Sequence, residues 1–286
     1  MINLHDIRYV HLGTPDLDAA TAFATTIVGL EHVRREDGRV YLRGDNRDHT
    51  LCYFEGDPAD HTVGFEVCSA DMLDAAGAEL ENSGYPVEFG RPEECEKRRC
   101  ERFIAFRDPS GNRIELVWRP FDNGGRRCFP TRDAGITDFS HVGLCSTDPV
   151  RDEAFWTRIC NARVSDWIGK APLLRIDEVH HKIALFPSQK PGVQHINHQV
   201  ASIDDIMRAW YFLKERGVRI VFGPGRHPTS GAMFLYFEGP NGMIYEYSTG
   251  VSKITDEARH RPRQFPFTPE GFCMWGSKPD IPQFRD

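Results

Sequence analysis

The sequence predicts an α+β fold in two domains, built from duplicated βαβββ modules. The first observation is an internal repeat at a nearly constant offset along the 286-residue chain. The offset is 130 residues from His11 to His141, 133 from Ser69 to Ser202, and 131 from Glu115 to Glu246. A period this long indicates a duplicated domain rather than a solenoid. The second observation is that each half reads as strand, helix and three further strands.

The first repeated segment, residues 9–30, predicts a strand followed by an amphipathic helix. Apolar residues recur at helical spacing after Asp16, which is a plausible N-cap, and Gly29 marks the end. Later in each half, the four-residue sequences DPSG and GPNG are flanked by alternating apolar residues. This pattern predicts a hairpin turn at each place.

The repeat sets the predicted boundaries. Residues 1–120 and 136–250 are the two domains, and the polar, Gly-rich residues 121–135 are the linker. Residues 251–286 lie outside the repeat and are rich in proline and aromatic residues. We expect them to form an extended tail packed on the surface.

Composition excludes several classes of function. The formal net charge is −7, and no long block of Lys or Arg occurs, which argues against nucleic acid or anionic lipid as the main partner. No apolar run is long enough to span a membrane, and the N-terminus lacks a signal-peptide pattern. The 8 cysteines contain no CxxC pair, so we expect reduced, mostly buried thiols in a cytoplasmic protein.

The second half carries a candidate metal-binding set on three predicted strands. His141 lies in DFSHVGL, His195 in GVQHINHQV, and Glu246 in MIYEYST. A carboxylate among apolar strand residues is costly unless it is paired or bound to a metal. Two imidazoles and one carboxylate are typical of non-haem Fe(II) oxygenases. His198 competes with His195 for the second position, and strand alternation puts the two on opposite faces.

These residues resemble the vicinal oxygen chelate, or glyoxalase/bleomycin resistance, superfamily over about residues 5–250. Residues 136–250 resemble more narrowly the two-domain, type I extradiol catechol dioxygenases of the 2,3-dihydroxybiphenyl dioxygenase kind. The resemblance implies a vicinal oxygen chelate fold with Fe(II), or Mn(II) in some members, held by His141, His195 and Glu246. It favours His195 over His198, because the family's ligand lies five residues before a valine that matches Val200.

The resemblance also implies three catalytic side chains. They match His181 in HHKIALF, His227 in the GRH loop, and Tyr236 on the next strand. His181 would act as the acid–base residue, with its neighbour His180 as the alternative, while His227 and Tyr236 would hydrogen-bond the catechol oxygens. The residues that we expect to contact the substrate are His180, His198, Thr229, Trp167 and Phe186.

The implied activity is extradiol cleavage of a catechol, with O2 as co-substrate, by a protein that forms a homo-oligomer as its family members commonly do. One alternative is a glyoxalase- or epimerase-type metalloenzyme of the same fold, which would not need His181, His227 and Tyr236. Another is a binding module, which would not need a metal triad. In the first half His11 and Glu115 persist, but Thr62 stands where His195 would be and His61 is one residue out of register, so we expect no metal there.

Overall fold

A computed structural model describes residues 1–124 and 127–284, which form two mixed β-sheets with few helices. The first sheet has 8 strands and the second has 9. The predicted α+β class with two repeated units is confirmed. Residues 125–126 of the predicted linker and 285–286 of the tail lie outside the described residues.

The first sheet and its helices span the first half of the chain. The strands are β1 (Asp6–Thr14), β2 (Glu31–Glu36), β3 (Arg39–Arg43), β4 (Leu51–Glu55), β5 (His61–Val67), β6 (Glu88–Phe89), β7 (Cys100–Arg107) and β8 (Arg113–Pro120). The helices are α1 (Leu17–Phe23), which continues as a π-helical turn over Ala24–Val28, α2 (Ala70–Asn82) and α3 (Pro92–Arg98).

The second sheet repeats this order and adds one strand from the tail. The strands are β9 (Ile136–Ser146), β10 (Arg163–Ile168), β11 (Ala171–Arg175), β12 (Ile183–Pro187), β13 (Gly192–Val200), β14 (Ile220–Arg226), β15 (Met233–Glu238), β16 (Ile244–Thr249) and β17 (Arg263–Phe265). The helices are α4 (Pro149–Arg158), α5 (Ile203–Glu215) and α6 (Pro269–Phe272), with 3₁₀ turns at Pro240–Gly242 and Pro282–Phe284. The strand order is β2-β3-β4-β1-β5-β8-β7-β6 in the first sheet and β14-β15-β16-β13-β9-β12-β11-β10-β17 in the second.

Each half contains two βαβββ modules, whereas the sequence predicted one module in each half. In the first half the modules are β1-α1-β2-β3-β4 and β5-α2-β6-β7-β8, and they meet at the antiparallel pair β1 and β5. The second half repeats this arrangement around β9 and β13. The additional strands were missed because they are short and some, such as β2, are half-exposed, which weakens the alternation that identifies a strand.

Helix ends confirm the predicted alignment of the halves. The Asp16 side chain accepts a hydrogen bond from Ala19 N, and Gly29 ends the following π-turn at φ +82°. Ser69 and Ser202, which are 133 residues apart in the repeat, cap α2 and α5 by accepting from the backbone N–H three residues on. The turns DPSG and GPNG join the antiparallel pairs β7–β8 and β15–β16, as predicted.

The tail differs from the prediction of a surface segment. Strand β17 pairs in parallel with β10, and the tail side chains Phe272, Cys273, Ile281 and Phe284 are buried. These residues pack with Phe186 and Tyr236 on the open face of the second sheet. The reason is hydrophobic: the aromatic side chains of the tail cover apolar surface that would otherwise face water.

The two halves share one hydrophobic core. Aromatic contacts cross the boundary, including Phe65 with Trp156 at 5.6 Å and Phe23 with Tyr245 at 5.9 Å between ring centroids. Within the described residues all 8 cysteines are free, and most of them are buried, as expected. No described helix is long and apolar enough to cross a membrane.

Candidate metal centre

The predicted metal ligands come from three neighbouring strands at the middle of the second sheet. His141 lies on β9, His195 on β13 and Glu246 on β16. Asn197 is paired with His141 on one side and with Glu246 on the other, which fixes the level of both ligands in the sheet. One ligand atom from each of the three residues lies within 4.8 Å of the others.

The donor atoms are arranged as neighbouring ligands of one ion. His141 Nε2 lies 3.0 Å from His195 Nε2 and 3.1 Å from Glu246 Oε2, and His195 Nε2 lies 3.4 Å from the same oxygen. Ligand atoms about 2.1 Å from a shared ion are separated by about 3 Å when they are adjacent. Glu246 Oε2 is buried and accepts no hydrogen bond from the described residues, which leaves it available to a cation. The residues present therefore fit a divalent metal.

Protonation of the ligands also suits a metal. Burial lowers the pKa of His195 to about 3, so its ring is neutral and has a lone pair to donate. Burial raises the pKa of Glu246, but the neighbouring histidines His141, His227 and His195 together outweigh this, and the pKa lies well below its usual value. The carboxylate is therefore ionised near neutral pH.

His181 lies beside the metal ligands, and His180 lies behind it. The His181 ring centroid is 4.2 Å from that of His141. His180 Nδ1 lies 3.1 Å from His181 Nδ1, and the other nitrogen, His180 Nε2, lies 3.0 Å from Asp166 Oδ2. Of the two histidines that the sequence left open, His181 is the one that lines the cavity beside the triad.

Asp166 fixes the tautomers of both rings. Burial raises the pKa of Asp166, but hydrogen bonds from His180 and Arg263 outweigh it and lower the pKa below its usual value, so the carboxylate only accepts. His180 Nε2 must then donate to Asp166. Burial lowers the pKa of His180, so the ring is neutral and its Nδ1 accepts from His181 Nδ1. The Nε2 atom of His181 is thereby left with a lone pair.

Asp166 was not among the residues singled out from the sequence. It is fully buried on β10, and the tail residue Arg263 binds it through Nη2 at 2.7 Å and through its backbone N at 2.8 Å. A buried carboxylate in the segment SDWIG was the available signal. Its partners could not be recognised, because His180 and Arg263 are distant in sequence.

His227 and Tyr236 form a second hydrogen-bonded pair on the opposite side of the cavity. His227 Nδ1 donates to the Phe272 carbonyl oxygen of the tail at 2.8 Å, because a carbonyl only accepts. His227 Nε2 then lies 3.2 Å from the Tyr236 hydroxyl and 3.6 Å from Glu246 Oε1. Burial raises the pKa of Tyr236 well above its usual value, which keeps the phenol protonated.

The cavity beside these groups is small, about 20 Å³. Its lining is polar on the triad side and apolar on the other, and comprises Ile168, Leu173, His181, Ala184, Phe186, His195, His227, Thr229, Tyr236, Phe272 and Phe284. Thr229 and Phe186, two of the predicted substrate contacts, are among these residues. Phe272 and Phe284 were missed because the tail was expected elsewhere.

Three predicted substrate contacts lie outside this lining. His180 is held behind His181 by Asp166. Trp167 points the other way from its β10 neighbour Ile168, and its indole N–H donates to Glu153 at 2.7 Å. His198 faces the Phe139 ring at 6.1 Å, because alternation along β13 turns it away from the face that carries His195.

The equivalent place in the first half is organised differently. Thr62 pairs with His11 across β1 and β5, and Glu115 accepts from Arg98 Nε at 2.8 Å and Nη2 at 2.6 Å. The Tyr9 hydroxyl also donates to Glu115 at 2.7 Å. A fixed guanidinium therefore stands against this carboxylate.

Comparison with known proteins gives a consistent result. Residues 6–116 and 138–247 match the family model described as the Glyoxalase/Bleomycin resistance protein/Dioxygenase superfamily. An iron-dependent extradiol dioxygenase of Rhodococcus jostii is 24% identical over 90% of this chain and 93% of its own. A manganese-dependent 2,3-dihydroxybiphenyl 1,2-dioxygenase of Geobacillus genomosp. 3 is 28% identical over 87% of this chain and 86% of its own.

Two solved structures have the same fold. A halotolerant catechol dioxygenase has a TM-score of 0.88 at 22% identity, covering 100% of this chain and 98% of its own. A Mn(II)-bound glyoxalase from Novosphingobium aromaticivorans has a TM-score of 0.87 at 26% identity, covering 100% of this chain and 95% of its own.

Proposed function

Because the chain belongs to the Glyoxalase/Bleomycin resistance protein/Dioxygenase superfamily, we propose that its second half is the active site of an extradiol ring-cleaving dioxygenase. The substrate would be a catechol, and both atoms of O2 would enter it. One observation carries the proposal: His181, His227 and Tyr236 line one cavity together with His195, whose Nε2 lies 3.0 Å from His141 Nε2 and 3.4 Å from Glu246 Oε2. Metal chemistry alone needs only the triad, whereas the other three groups are suited to a substrate that must lose protons.

The resident metal would be Fe(II), with Mn(II) as the alternative, and relatives that use each metal are known. When bound by His141, His195 and Glu246, it would lower the pKa of the catechol hydroxyls and offer open positions to the diol and to O2. Every other task in the reaction falls to side chains of the chain itself.

His181 would be the general base and acid. Its Nδ1 proton is committed to His180, so Nε2 offers a lone pair to a catechol hydroxyl. Burial keeps the pKa of His181 well below its usual value, so the ring is neutral before the substrate binds. After taking the proton, the ring would be stabilised by the Asp166 carboxylate through His180.

His227 and Tyr236 would position the substrate oxygens from the other side. The neutral Tyr236 hydroxyl is a donor, and His227 Nε2 is an acceptor because its other nitrogen is tied to Phe272 O. In the structure the two groups bind each other, and a bound diol would replace that hydrogen bond, taking the donor of Tyr236 and the acceptor of His227 as it loses its protons in two steps. Such preorganised groups stabilise charge that develops on oxygen.

The apolar wall would orient the ring. Ile168, Leu173 and Phe186 come from the sheet, and Phe272 and Phe284 come from the tail. A catechol that rests its hydrocarbon edge on this wall presents its oxygens to the triad, and the aromatic cover excludes water. Cleavage beside the two hydroxylated carbons then yields one carboxylate and one carbonyl, and both oxygen atoms of O2 remain in the product.

The test is anaerobic reconstitution of the full chain with Fe(II), followed by air and a panel of catechols. We expect O2 uptake together with a yellow ring-opened product, and loss of both in His195→Ala. Metal binding without O2 uptake on any catechol would refute the dioxygenase proposal.

A glyoxalase-type activity is the second candidate, because a Mn(II)-bound glyoxalase is among the structural neighbours. Such an enzyme would rearrange a carbonyl substrate without consuming O2. Adding the hemithioacetal of methylglyoxal to the Mn(II)-loaded chain under nitrogen distinguishes the two, since only a glyoxalase turns over without oxygen.

We also expect the protein to be a homo-oligomer in the cytoplasm. Light scattering of the purified chain measures the size of the oligomer.

A further inference from the structure

A second cavity, of about 280 Å³, lies in the first half of the molecule and is lined by four arginines. It is more than ten times larger than the space beside the triad, and it lies where the repeat would place an active site. The lining comprises His11, Arg39, Phe54, Ala59, Asp60, His61, Thr62, Arg98, Arg107, Gly111, Arg113 and Pro191. Four guanidinium groups from four different elements therefore converge on one space.

The internal repeat explains the position of Arg98, one of these four arginines. Glu115 corresponds to Glu246, and its carboxylate is bound by Arg98 from α3. A cation of the chain thus stands beside the carboxylate that would otherwise help to hold a metal. Arg98 also lies over the Phe103 ring at 4.2 Å, which fixes the guanidinium in place. The first half has therefore kept a positive centre at the base of its cavity.

Two of the remaining arginines have unused donors. Among the residues that the structure describes, neither Arg39 nor Arg107 forms an ion pair. Arg107 gives one hydrogen bond, from Nη1 to Gly111 O at 2.8 Å, and Arg39 lies over the Phe54 ring at 5.0 Å. Arg113, by contrast, is bound to Glu88 at 2.8 Å.

The charges around the space leave a surplus of positive charge. Arg39, Arg98, Arg107 and Arg113 contribute four positive charges, and Asp60, Glu88 and Glu115 contribute three negative ones. The two ring nitrogens of His61 face the Ala59 carbonyl at 3.1 Å and Asn112 Oδ1 at 3.0 Å, so His61 is engaged by the chain itself and adds no free donor. The walls are not only polar, because Phe54 and Pro191 contribute apolar surface.

We propose that this cavity binds a small organic carboxylate. A guanidinium presents parallel N–H groups that match a carboxylate, and Arg39 and Arg107 have such groups free. The Phe54 and Pro191 surfaces suit the hydrocarbon part of the ligand, which inorganic phosphate lacks. A space of this size accommodates a molecule the size of benzoate, near the lower limit of small-molecule sites. The site is separate from the triad and needs no metal.

Benzoate is the probe for calorimetric titration of the full, metal-loaded chain under nitrogen. We expect saturable binding of one benzoate per chain, weakened at least tenfold in Arg107→Gln and in Arg39→Gln. Arg216→Gln, at the exposed end of α5, is the matched control and should bind like the unaltered chain. Catechol turnover should be unchanged in all three variants, since none of these arginines touches the triad cavity.

Three results with benzoate would overturn the proposal. They are no saturable benzoate binding, binding that Arg107→Gln and Arg39→Gln leave unchanged, and binding that saturating catechol abolishes, since that would locate benzoate at the triad. Inorganic phosphate is titrated in parallel, and phosphate that binds where benzoate does not would refute the carboxylate class. Thermal melting confirms that each variant is folded, so loss of binding is not loss of structure.

Discussion

Asp166 Oδ2 accepts a hydrogen bond from His180 Nε2 at 3.0 Å, and this contact determines which nitrogen of His181 carries the proton. His180 transmits this constraint to the next ring. Its Nε2–H donates to Asp166, and its Nδ1 accepts a hydrogen bond from His181. The tail completes the arrangement through Arg263, which binds the same carboxylate.

Asp166→Asn should lower kcat about 10- to 100-fold, the usual cost of removing a partner that orients a functional imidazole. The amide can present its N–H to His180 and reverse both tautomers, so His181 Nε2 would carry the proton. Nitrogen NMR shifts of His180 and His181 in the metal-free protein detect the reversal independently of activity. Asp256→Asn, an exposed tail residue, is the control, and equal losses in both variants would show that the effect is not one of orientation.

His141→Ala should abolish stoichiometric metal binding, while His11→Ala at the equivalent position of the first half should leave it intact. Only the second half brings three ligand atoms together among the described residues. Metal content after dialysis, measured by mass spectrometry, should fall from about one ion per chain to below one tenth, because each ligand contributes a large share of the binding free energy. Retention of metal in His141→Ala would contradict the assigned ligands.

Glu115→Gln should reduce the free energy of unfolding by about 3 to 5 kcal/mol, because it leaves the Arg98 guanidinium buried without its counter-charge. Glu115 is fully buried, and the Arg98 side chain is 13% exposed. Urea unfolding measures the change. The double variant Arg98→Met with Glu115→Leu should recover most of the loss, and a double variant as unstable as the single one would refute this explanation.

His198→Phe should make the protein more resistant to acid. Burial lowers the pKa of His198 to about 4, and neither ring nitrogen has a hydrogen-bond partner among the described residues. Between about pH 6.5 and pH 4 the unfolded chain therefore binds a proton that the folded chain does not. Stability falls as the pH falls through this range, by about 3 kcal/mol from this residue.

The phenylalanine does not titrate and keeps the contact with Phe139. Urea unfolding at pH 7 and pH 4 should show a smaller difference between the two pH values in His198→Phe than in the unaltered chain. An equal difference would mean that His198 does not contribute to acid unfolding.

Phe284→Ala should widen the substrate range towards two-ring diols. Phe284 packs against Phe186 at 4.5 Å and Phe272 at 4.8 Å, and closes the apolar end of the triad cavity. The ratio of kcat/KM for 2,3-dihydroxybiphenyl to that for catechol should rise at least tenfold, within the range seen for apolar pocket changes. Trp275→Ala, an exposed aromatic of the same tail, is the control, and an unchanged ratio in Phe284→Ala would exclude this residue as a size limit.

The sequence predicted the parts of the site that rest on local pattern. The repeat brought His141, His195 and Glu246 to notice, because each lies in a short alternating strand with a counterpart in the other half. It could not predict Asp166, Phe272 or Phe284, because their roles arise from contacts between the tail and the second sheet that leave no periodic pattern. Trp167 and His198 lie outside the cavity lining for a simpler reason. Proximity in sequence to a site does not decide which face of a strand a side chain occupies.

The triad is divided between two modules, with His141 on β9 of one and His195 and Glu246 on β13 and β16 of the next. Neither module alone contains a complete ligand set, so all three ligands can bind one ion only after β9 and β13 have paired. Metal affinity therefore depends on the free energy of assembling the two modules, because an ion that binds only the assembled sheet stabilises it by mass action. Any substitution that weakens the pairing of β9 with β13, even far from the ligands, should first lower the affinity for the metal.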